Sequence, residues 1–99
     1  MHIRFAEIAS DEMADTCDWY EQQQSGLGLR FKTAVREAAI RIARTPLMFP
    51  VEIEDVRRYV MNRFPYILRY VVRGDEVWIV AVSHQHRYPD YWVERIQVR

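Results

Sequence analysis

The sequence predicts an α+β fold in which a short N-terminal strand and a helical hairpin precede antiparallel strands that form one sheet packed on the helices. Three observations predict it. Apolar residues recur at helical spacing in the first half of the chain, a two-residue turn signal separates two apolar runs near residue 74, and 99 residues suffice to bury one core without disulfides. We therefore expect residues 1–99 to form a single domain.

The first half of the chain predicts one strand and two helices. Residues 1–6 alternate as in a short strand. Ser10 precedes two acidic residues, a pattern typical of an N-cap, and the periodicity predicts a helix from about Ser10 to Gln24. Pro46 ends the second helix, because proline cannot continue the backbone hydrogen bonding. The apolar stripe of that second helix comprises Leu27, Phe31, Val35, Ala38, Ala39 and Ile42.

The second half predicts strands. Residues 46–55 are expected to form a loop and residues 57–62 a strand, and the strands 66–73 and 76–83 are joined by a type II′ or I′ turn at Gly74-Asp75. Pairing across this turn predicts one face directed towards the helices: Val72, Val77, Tyr70, Ile79, Leu68 and Ala81. The reverse face mixes arginines with apolar residues and continues to His84: Arg73, Val71, Trp78, Arg69, Val80, Ile67 and Val82. A short helical or irregular tail should follow Pro89.

The charges balance over the whole chain but not locally. There are 14 basic and 14 acidic residues, yet residues 56–99 hold eight arginines against four acidic residues. Lys32 is the only lysine. Arginine offers a planar fork that binds phosphate or carboxylate through two hydrogen bonds. The excess on the reverse face of the sheet therefore predicts a basic, aromatic surface that contacts a polyanion or an acidic partner.

The composition also bears on the compartment. No apolar run approaches the roughly 20 residues that span a bilayer, so no membrane association is expected. Cys17 is the only cysteine, which excludes an internal disulfide and is typical of a reducing compartment. These observations predict a cytoplasmic protein.

Several short segments carry a family resemblance. They are residues 10–12 and 28–31, Pro46, residues 57–61 and 63–66 with Tyr70, and residues 81–92. In order and spacing they resemble the RelE/ParE superfamily of toxins from bacterial type II toxin–antitoxin modules, over nearly the whole chain. The resemblance implies a small toxin without a cofactor, held inactive by a cognate antitoxin. Contact with DNA would come only through that antitoxin, which usually binds operator DNA.

Two activities divide the superfamily. The RelE branch cleaves mRNA on the ribosome, which requires a base for the 2′-hydroxyl, a cation for the transition state and a proton donor. The ParE branch inhibits DNA gyrase, which requires an interaction surface. For a ribonuclease, the resemblance places candidate catalytic residues at Arg87 and Arg58 and at a C-terminal tyrosine, Tyr91 or Tyr88. Arg69 near the strand-opening tyrosine and His84, which can exchange a proton near neutral pH, are further catalytic candidates.

The basic residue that the ribonuclease branch has directly after the strand-opening tyrosine is absent, because Ile67 follows Tyr66. The interpretation therefore favours a ParE-like gyrase inhibitor. A ribosome-dependent mRNA endonuclease and an inactive member that only binds antitoxin are the alternatives, so enzymatic activity stays open.

Further basic and aromatic residues are candidates for contact with a target or with the antitoxin. They are Arg57, Arg63, Trp78, His86, Tyr88 and Trp92. His84, His86 and Asp90 could be drawn together as metal ligands, but the sequence shows neither a fourth ligand nor a second shell, and we expect no metal site. We expect the antitoxin to cover the basic face, or a groove on the sheet and helices, with an extended or helical acidic segment.

Overall fold

A computed structural model of the chain describes residues 1–88 and 90–97. The elements in chain order are β1 (His2–Phe5), α1 (Glu7–Gln23), α2 (Leu27–Arg44), β2 (Val51–Ile53), β3 (Val56–Val60), β4 (Tyr66–Arg73), β5 (Glu76–His84) and α3 (Val93–Gln97). The predicted α+β class is confirmed, with the N-terminal strand and helical hairpin preceding the remaining strands.

The five strands form one mixed sheet in the order β1-β5-β4-β3-β2. β1 runs parallel to β5, and the other neighbours are antiparallel. The helical hairpin packs on one face, where Phe31, Val35 and Ile42 of α2 meet Leu68 and Ile79 of the sheet. The C-terminal tail, residues 90–97, contains α3 and packs on the reverse face of the sheet. The sheet is therefore covered on both sides.

The two long helices are joined by a tight turn. The predicted apolar stripe of α2 is confirmed, since all its members after Leu27 are buried. A Cβ atom added to Gly28 would lie 2.6 Å from the carbonyl oxygen of Cys17, so glycine allows the two helices to approach closely. The Glu21 carboxylate accepts hydrogen bonds from the backbone N–H groups of Gly26 and Gly28 and fixes the turn.

Two predicted boundaries are wrong. α1 begins at Glu7 rather than Ser10, because the Ala6 N–H donates to the carbonyl oxygen of Ile79 in the sheet and the chain passes from β1 directly into the helix. The loop predicted over residues 46–55 contains β2, whose pairing joins Val51 to Arg57 and Ile53 to Val56. A strand of three residues is too short to show the alternation that predicts a strand.

The β4–β5 hairpin follows the prediction near its turn and departs from it further on. Gly74 alone in the turn has a positive φ, 61°, as a type II′ turn requires. Val72 pairs with Val77 and Tyr70 with Ile79, as predicted, but a bulge at Val80 then shifts the register. Leu68 pairs with Val82, so the predicted pairing of Leu68 with Ala81 is wrong.

The bulge exchanges the two faces of β5 beyond residue 80, because one extra residue reverses the alternation of side chains. Val82 packs in the core beneath the helical hairpin, whereas Ala81 belongs to the cluster on the reverse face. His84 lies opposite Tyr66 on the side of α1 and α2. The prediction that Val82 and His84 lie on the reverse face is therefore wrong.

Candidate functional site

The reverse face of the sheet is closed by the C-terminal segment. Trp92 is fully buried, and together with Ile96 it packs against Val71 and Val80. The prediction that arginines and aromatic residues are exposed on this face is wrong for Arg69 and Trp92. The segment after residue 90 covers the apolar residues of the face and makes a second core there. Trp92 is thus a core residue.

Arg69 is the clearest correction. Its side chain is only 4% exposed. Nε donates to Oε1 of Glu52 at 2.9 Å, Nη1 donates to Oγ of Ser83 at 3.1 Å, and the guanidinium lies 5.4 Å from the centre of the Trp92 ring. A buried cation is tolerated when paired and hydrogen-bonded in this way. Arg69 therefore anchors β2 and the tail to the sheet and is not displayed outward.

Glu12 of α1 is the centre of a second network. Its Oε1 accepts hydrogen bonds from the Val82 N–H at 3.0 Å and from Nη1 of Arg95 at 2.9 Å. Its Oε2 accepts from the Tyr91 hydroxyl at 2.7 Å and from Nη2 of Arg95 at 2.9 Å. Burial alone would raise the pKa of Glu12, but the hydrogen bonds from Arg95, Val82 and Tyr91 outweigh burial and lower it. Glu12 is therefore an anionic clamp on the tail.

The same network completes the bulge. Arg95 donates from Nη1 to the carbonyl oxygen of Val80 at 3.0 Å, while Glu12 receives the N–H of Val82. A bulge leaves backbone groups outside the regular ladder, and buried backbone groups need partners. The ion pair of Glu12 and Arg95 thus stabilises the register that directs Val82 and His84 towards the helices.

Arg87 and Tyr91 belong partly to this network. Nη1 of Arg87 lies 3.6 Å from Oε2 of Glu12, and its guanidinium stacks 3.7 Å from the centre of the Tyr91 ring. Burial, with the neighbouring Glu12 carboxylate, raises the pKa of the Tyr91 hydroxyl. The phenol therefore stays protonated at neutral pH and donates to Glu12. Arg87 keeps half of its side chain, 52%, exposed to solvent.

An accessible aromatic surface lies beside Arg87. The centre of the His84 ring is 5.3 Å from that of Tyr66 and 5.2 Å from that of His86. The backbone N–H of His86 donates to Nδ1 of His84. A recess lies beside the rings of Tyr66 and His84, and Trp19 of α1, which is 54% exposed, lies at its edge. We name these residues and Arg87 together the His84 surface. The recess has a volume of about 610 Å³ and is lined by Asp15, Thr16, Trp19, Tyr20, Pro65, Tyr66 and His84.

The remaining candidates are dispersed. Arg57 donates to the carbonyl oxygens of Leu47 and Phe49 and so holds the loop before β2. Arg58 and Arg63 are exposed, and Arg58 lines a groove beside β3. Trp78 is half-buried beneath Arg4 and donates to Glu76, and Tyr88 is exposed next to Arg87. Across residues 1–88 and 90–97, no three His, Cys, Asp or Glu side chains are grouped so as to hold a metal ion.

Comparison with known proteins identifies the family. The family model described as the ParE toxin of type II toxin–antitoxin system, parDE, matches residues 3–89. The chain belongs to the ParE toxin family. A solved structure described as a chromosomal ParDE TA system from P. aeruginosa contains a chain with a TM-score of 0.64 and 18% identity, covering 85% of this chain and 95% of that one. This likeness shows a shared fold, and no curated protein sequence is significantly similar.

For this ParE-family chain, the predicted identity as a type II toxin of the ParE-like kind is confirmed. The ribonuclease alternative is not favoured, and the geometry agrees. Arg69 is buried in an ion pair, the Tyr91 hydroxyl donates a hydrogen bond to Glu12, and Arg58 lies on β3. The residues that resemblance suggested for RNA cleavage are therefore not assembled around one open cleft.

Sequence reasoning missed the two carboxylates that organise this ParE-family structure. The sequence pattern predicts Glu12 only as an acidic residue in the first turn of a helix, and it predicts Glu52 in a loop. Glu12 and Arg95 are 83 residues apart, so no local pattern links them. The excess of arginines after residue 56 was the available signal, because buried arginines require carboxylates from elsewhere in the chain.

Within the described residues, no helix is both long and apolar enough to cross a membrane.

Proposed function

We propose that the protein is a cytoplasmic toxin that inhibits DNA gyrase by binding it through the His84 surface, and that a cognate antitoxin neutralises it. The observation that carries this proposal is a contrast in accessibility. Two of the candidate groups for RNA cleavage, Arg69 and Tyr91, are engaged in internal contacts. In the His84 surface, by contrast, Trp19 is 54% exposed and Arg87 is 52% exposed.

Catalysis of RNA cleavage would require a cation and an acid or base free to meet the reacting phosphate. Arg69 could reach a phosphate only by leaving Glu52 and Ser83 and by moving from beneath Trp92. Tyr91 would have to give up its hydrogen bond to Glu12. Both movements uncouple the tail from the sheet. Binding without catalysis makes no such demand, which is why we favour it.

The His84 surface has the chemical character of a protein-binding site. Residues that dominate the energy of protein interfaces are enriched in Trp, Tyr and Arg and lie next to recesses that exclude water. Trp19 and Tyr66 line one recess, and Arg87 lines an adjoining recess that shares Tyr66 with it. Asp15 and His84 line both recesses and add hydrogen-bonding groups. A side chain of the target that enters the recess lined by Trp19 would be held by aromatic rings and polar groups together.

The antitoxin follows from the family, whose members are the toxins of paired modules. We expect its gene to adjoin the gene for this chain and its product to bind with high affinity. Contact with operator DNA would then be made by the antitoxin. Gyrase acts on the chromosome, so this target places the toxin in the cytoplasm.

The test combines purified gyrase with the purified toxin and two variants. Wild-type toxin should block supercoiling of plasmid DNA or trap cleaved plasmid, whereas Trp19→Ala and Arg87→Ala should each weaken inhibition about tenfold or more, as expected for residues at the centre of an interface. Leu29→Ala, which removes an exposed apolar side chain from the first turn of α2 that does not line the recess, is the matched control and should inhibit like wild type. Circular dichroism should show that all four proteins are folded.

Induction in cells separates the alternatives. The proposal expects a DNA-damage response with intact mRNA. Cleaved mRNA on ribosomes, lost in Arg87→Ala, would instead establish the ribonuclease. A toxin that binds antitoxin tightly but is harmless when expressed alone would establish an inactive member. Inhibition of gyrase that is unchanged in Trp19→Ala and Arg87→Ala would refute the assignment of the His84 surface.

A further inference from the structure

The outer edge of β3 is only half paired. β2 lies opposite Arg57 and Val56, and the last hydrogen bond on this side joins the Arg58 N–H to the carbonyl oxygen of Pro50 at 3.0 Å. Pro50 has no backbone N–H group that could donate a hydrogen bond to the carbonyl oxygen of Arg58. Pairing therefore stops at Pro50, although β3 continues to Val60.

The hydrogen-bond pattern shows which groups this leaves open. Met61 donates to the carbonyl oxygen of Tyr66, so residues 59 and 61 direct their backbone groups towards β4. The N–H and C=O of Val60, like those of Arg58, then point away from β4. No residue of β2 lies opposite Val60, which is 51% exposed. An exposed edge of this kind is a template for one more strand.

A groove of about 620 Å³ runs beside this edge. Its floor is apolar and includes Met48, Phe49 and Tyr59. Arg41, Arg44 and Arg58 also line it, and its described lining contains no acidic residue. Arg41 and Arg44 lie in the last turn of α2, where their charges also offset the negative end of the helix dipole. The groove therefore joins an apolar floor, a cationic rim and free backbone groups.

We propose that this edge and groove, the β3 groove, bind an extended acidic segment of the antitoxin as an additional strand beside Val60. This proposal rests on the proposed pairing with an antitoxin and deepens it. Main-chain hydrogen bonds to the N–H and C=O groups of Val60 supply affinity, and alternate side chains supply specificity. One set of alternate residues is apolar and enters the groove, while acidic residues in the segment meet the arginines.

The first test follows the amide of Val60. Hydrogen exchange of the toxin, free and bound to the antitoxin encoded beside it, should show new protection at Val60 and little change at Val51. Val60→Pro should weaken antitoxin binding about tenfold or more, because it removes an outward N–H and blocks the added strand. The Val60→Pro substitution leaves the hydrogen bonds between β3 and β4 intact, because the N–H of Val60 points away from β4. Val60→Thr retains the N–H and should bind like wild type.

Val51→Pro is the matched control for the proline. Val51 is likewise an exposed edge valine, and its N–H points away from β3 because the Pro50 carbonyl group points towards β3. An added strand on β3 predicts that Val51→Pro keeps wild-type affinity. Weakened binding in Val51→Pro with normal binding in Val60→Pro would move the docking edge to β2 and overturn the proposal.

The second test reverses charge. Arg44→Glu and Arg58→Glu should each lower antitoxin affinity about tenfold and reduce its dependence on salt, since opposite charges across an interface become like charges. Arg36→Glu makes the same change at an exposed position of α2 outside the groove and should bind normally. Equal affinity of all three variants would refute the cationic rim.

The outcomes separate this inference from the proposed function. An antitoxin that binds and neutralises the toxin while Val60 stays unprotected would overturn the β3 groove alone. Failure of wild-type toxin to bind the antitoxin would instead overturn the pairing on which both proposals depend. If Val60→Pro does not fold, hydrogen exchange at Val60 in the wild-type complex and the affinities of Arg44→Glu and Arg58→Glu still test whether the β3 groove binds the antitoxin.

Discussion

Replacing Glu12 by glutamine should destabilise the protein by about 2–3 kcal/mol at pH 7, because hydrogen bonds to a charged partner contribute roughly 1.5–3 kcal/mol and a buried cation loses its counter-ion. Glutamine keeps one acceptor oxygen but directs an NH₂ group at donors from Arg95 or Tyr91. Screening by solvent is limited, since the side chains of Glu12 and Arg95 are 13% and 16% exposed. For a domain of this size the loss corresponds to a melting temperature lower by about 10–20 °C.

Urea denaturation followed by tryptophan fluorescence measures this loss, since the buried Trp92 becomes exposed on unfolding. Asp18→Asn removes one negative charge from an exposed position of the same helix and should stay within about 0.5 kcal/mol of wild type. If Glu12→Gln proves as stable as Asp18→Asn, the hydrogen bonds of Glu12 to Arg95 and Tyr91 do not contribute to stability.

The pH dependence gives an independent check on Glu12. Its pKa in the folded protein is lower than its ordinary value of 4.5, so the unfolded chain takes up the proton first as pH falls. The stabilising contribution is therefore complete well above pH 4.5 and declines as pH falls through the folded pKa. The difference in stability between wild type and Glu12→Gln should be constant near neutral pH and shrink under acid conditions. A difference that persists unchanged at acid pH would contradict this linkage.

Three further substitutions test other contacts. Gly28→Ala should cost about 1–3 kcal/mol in urea denaturation, because its Cβ would lie 2.6 Å from a backbone oxygen of α1; wild-type stability would contradict the close helix approach. Trp92→Ala should cost about 3–5 kcal/mol and increase binding of a hydrophobic dye, and a loss below 1 kcal/mol would contradict a second core. Arg69→Ala should cost about 3 kcal/mol, whereas the double change Arg69→Met with Glu52→Leu should recover most of that loss; a double variant no more stable than Arg69→Ala would contradict this pairing.

The elements that the sequence predicted correctly are those encoded by local patterns. The stripe of α2 repeats over five turns, and the Gly74 turn depends on two residues between apolar runs. The bulge at Val80 has no such pattern, because residues 79–82 are all apolar and every register buries them. The faces of β5 beyond the bulge, and the position of His84, therefore could not be predicted by alternation.

The candidate site was predicted in part for the same reason. Sequence reasoning named Arg87, His84 and His86, which the structure brings together, because they are close in the chain. It failed for Arg69, whose burial depends on Glu52 and on Trp92 in the tail that folds back over the sheet. An arginine on a strand looks the same in sequence whether it faces water or a buried carboxylate. Only tertiary contacts distinguish the two.

The parallel pairing of β1 with β5, together with the contact of Glu12 with Arg95, has a consequence for biosynthesis. β1 cannot pair until residues 76–79 have been translated, and Glu12 of α1 cannot bind Arg95 until the segment that contains Arg95 has been translated. Loops this long must close before these contacts can form, which makes folding slow. A ribosome that is still translating the gene therefore carries a nascent chain without its completed tertiary structure. The delay gives a chaperone or an inhibitory partner time to capture the incompletely folded chain.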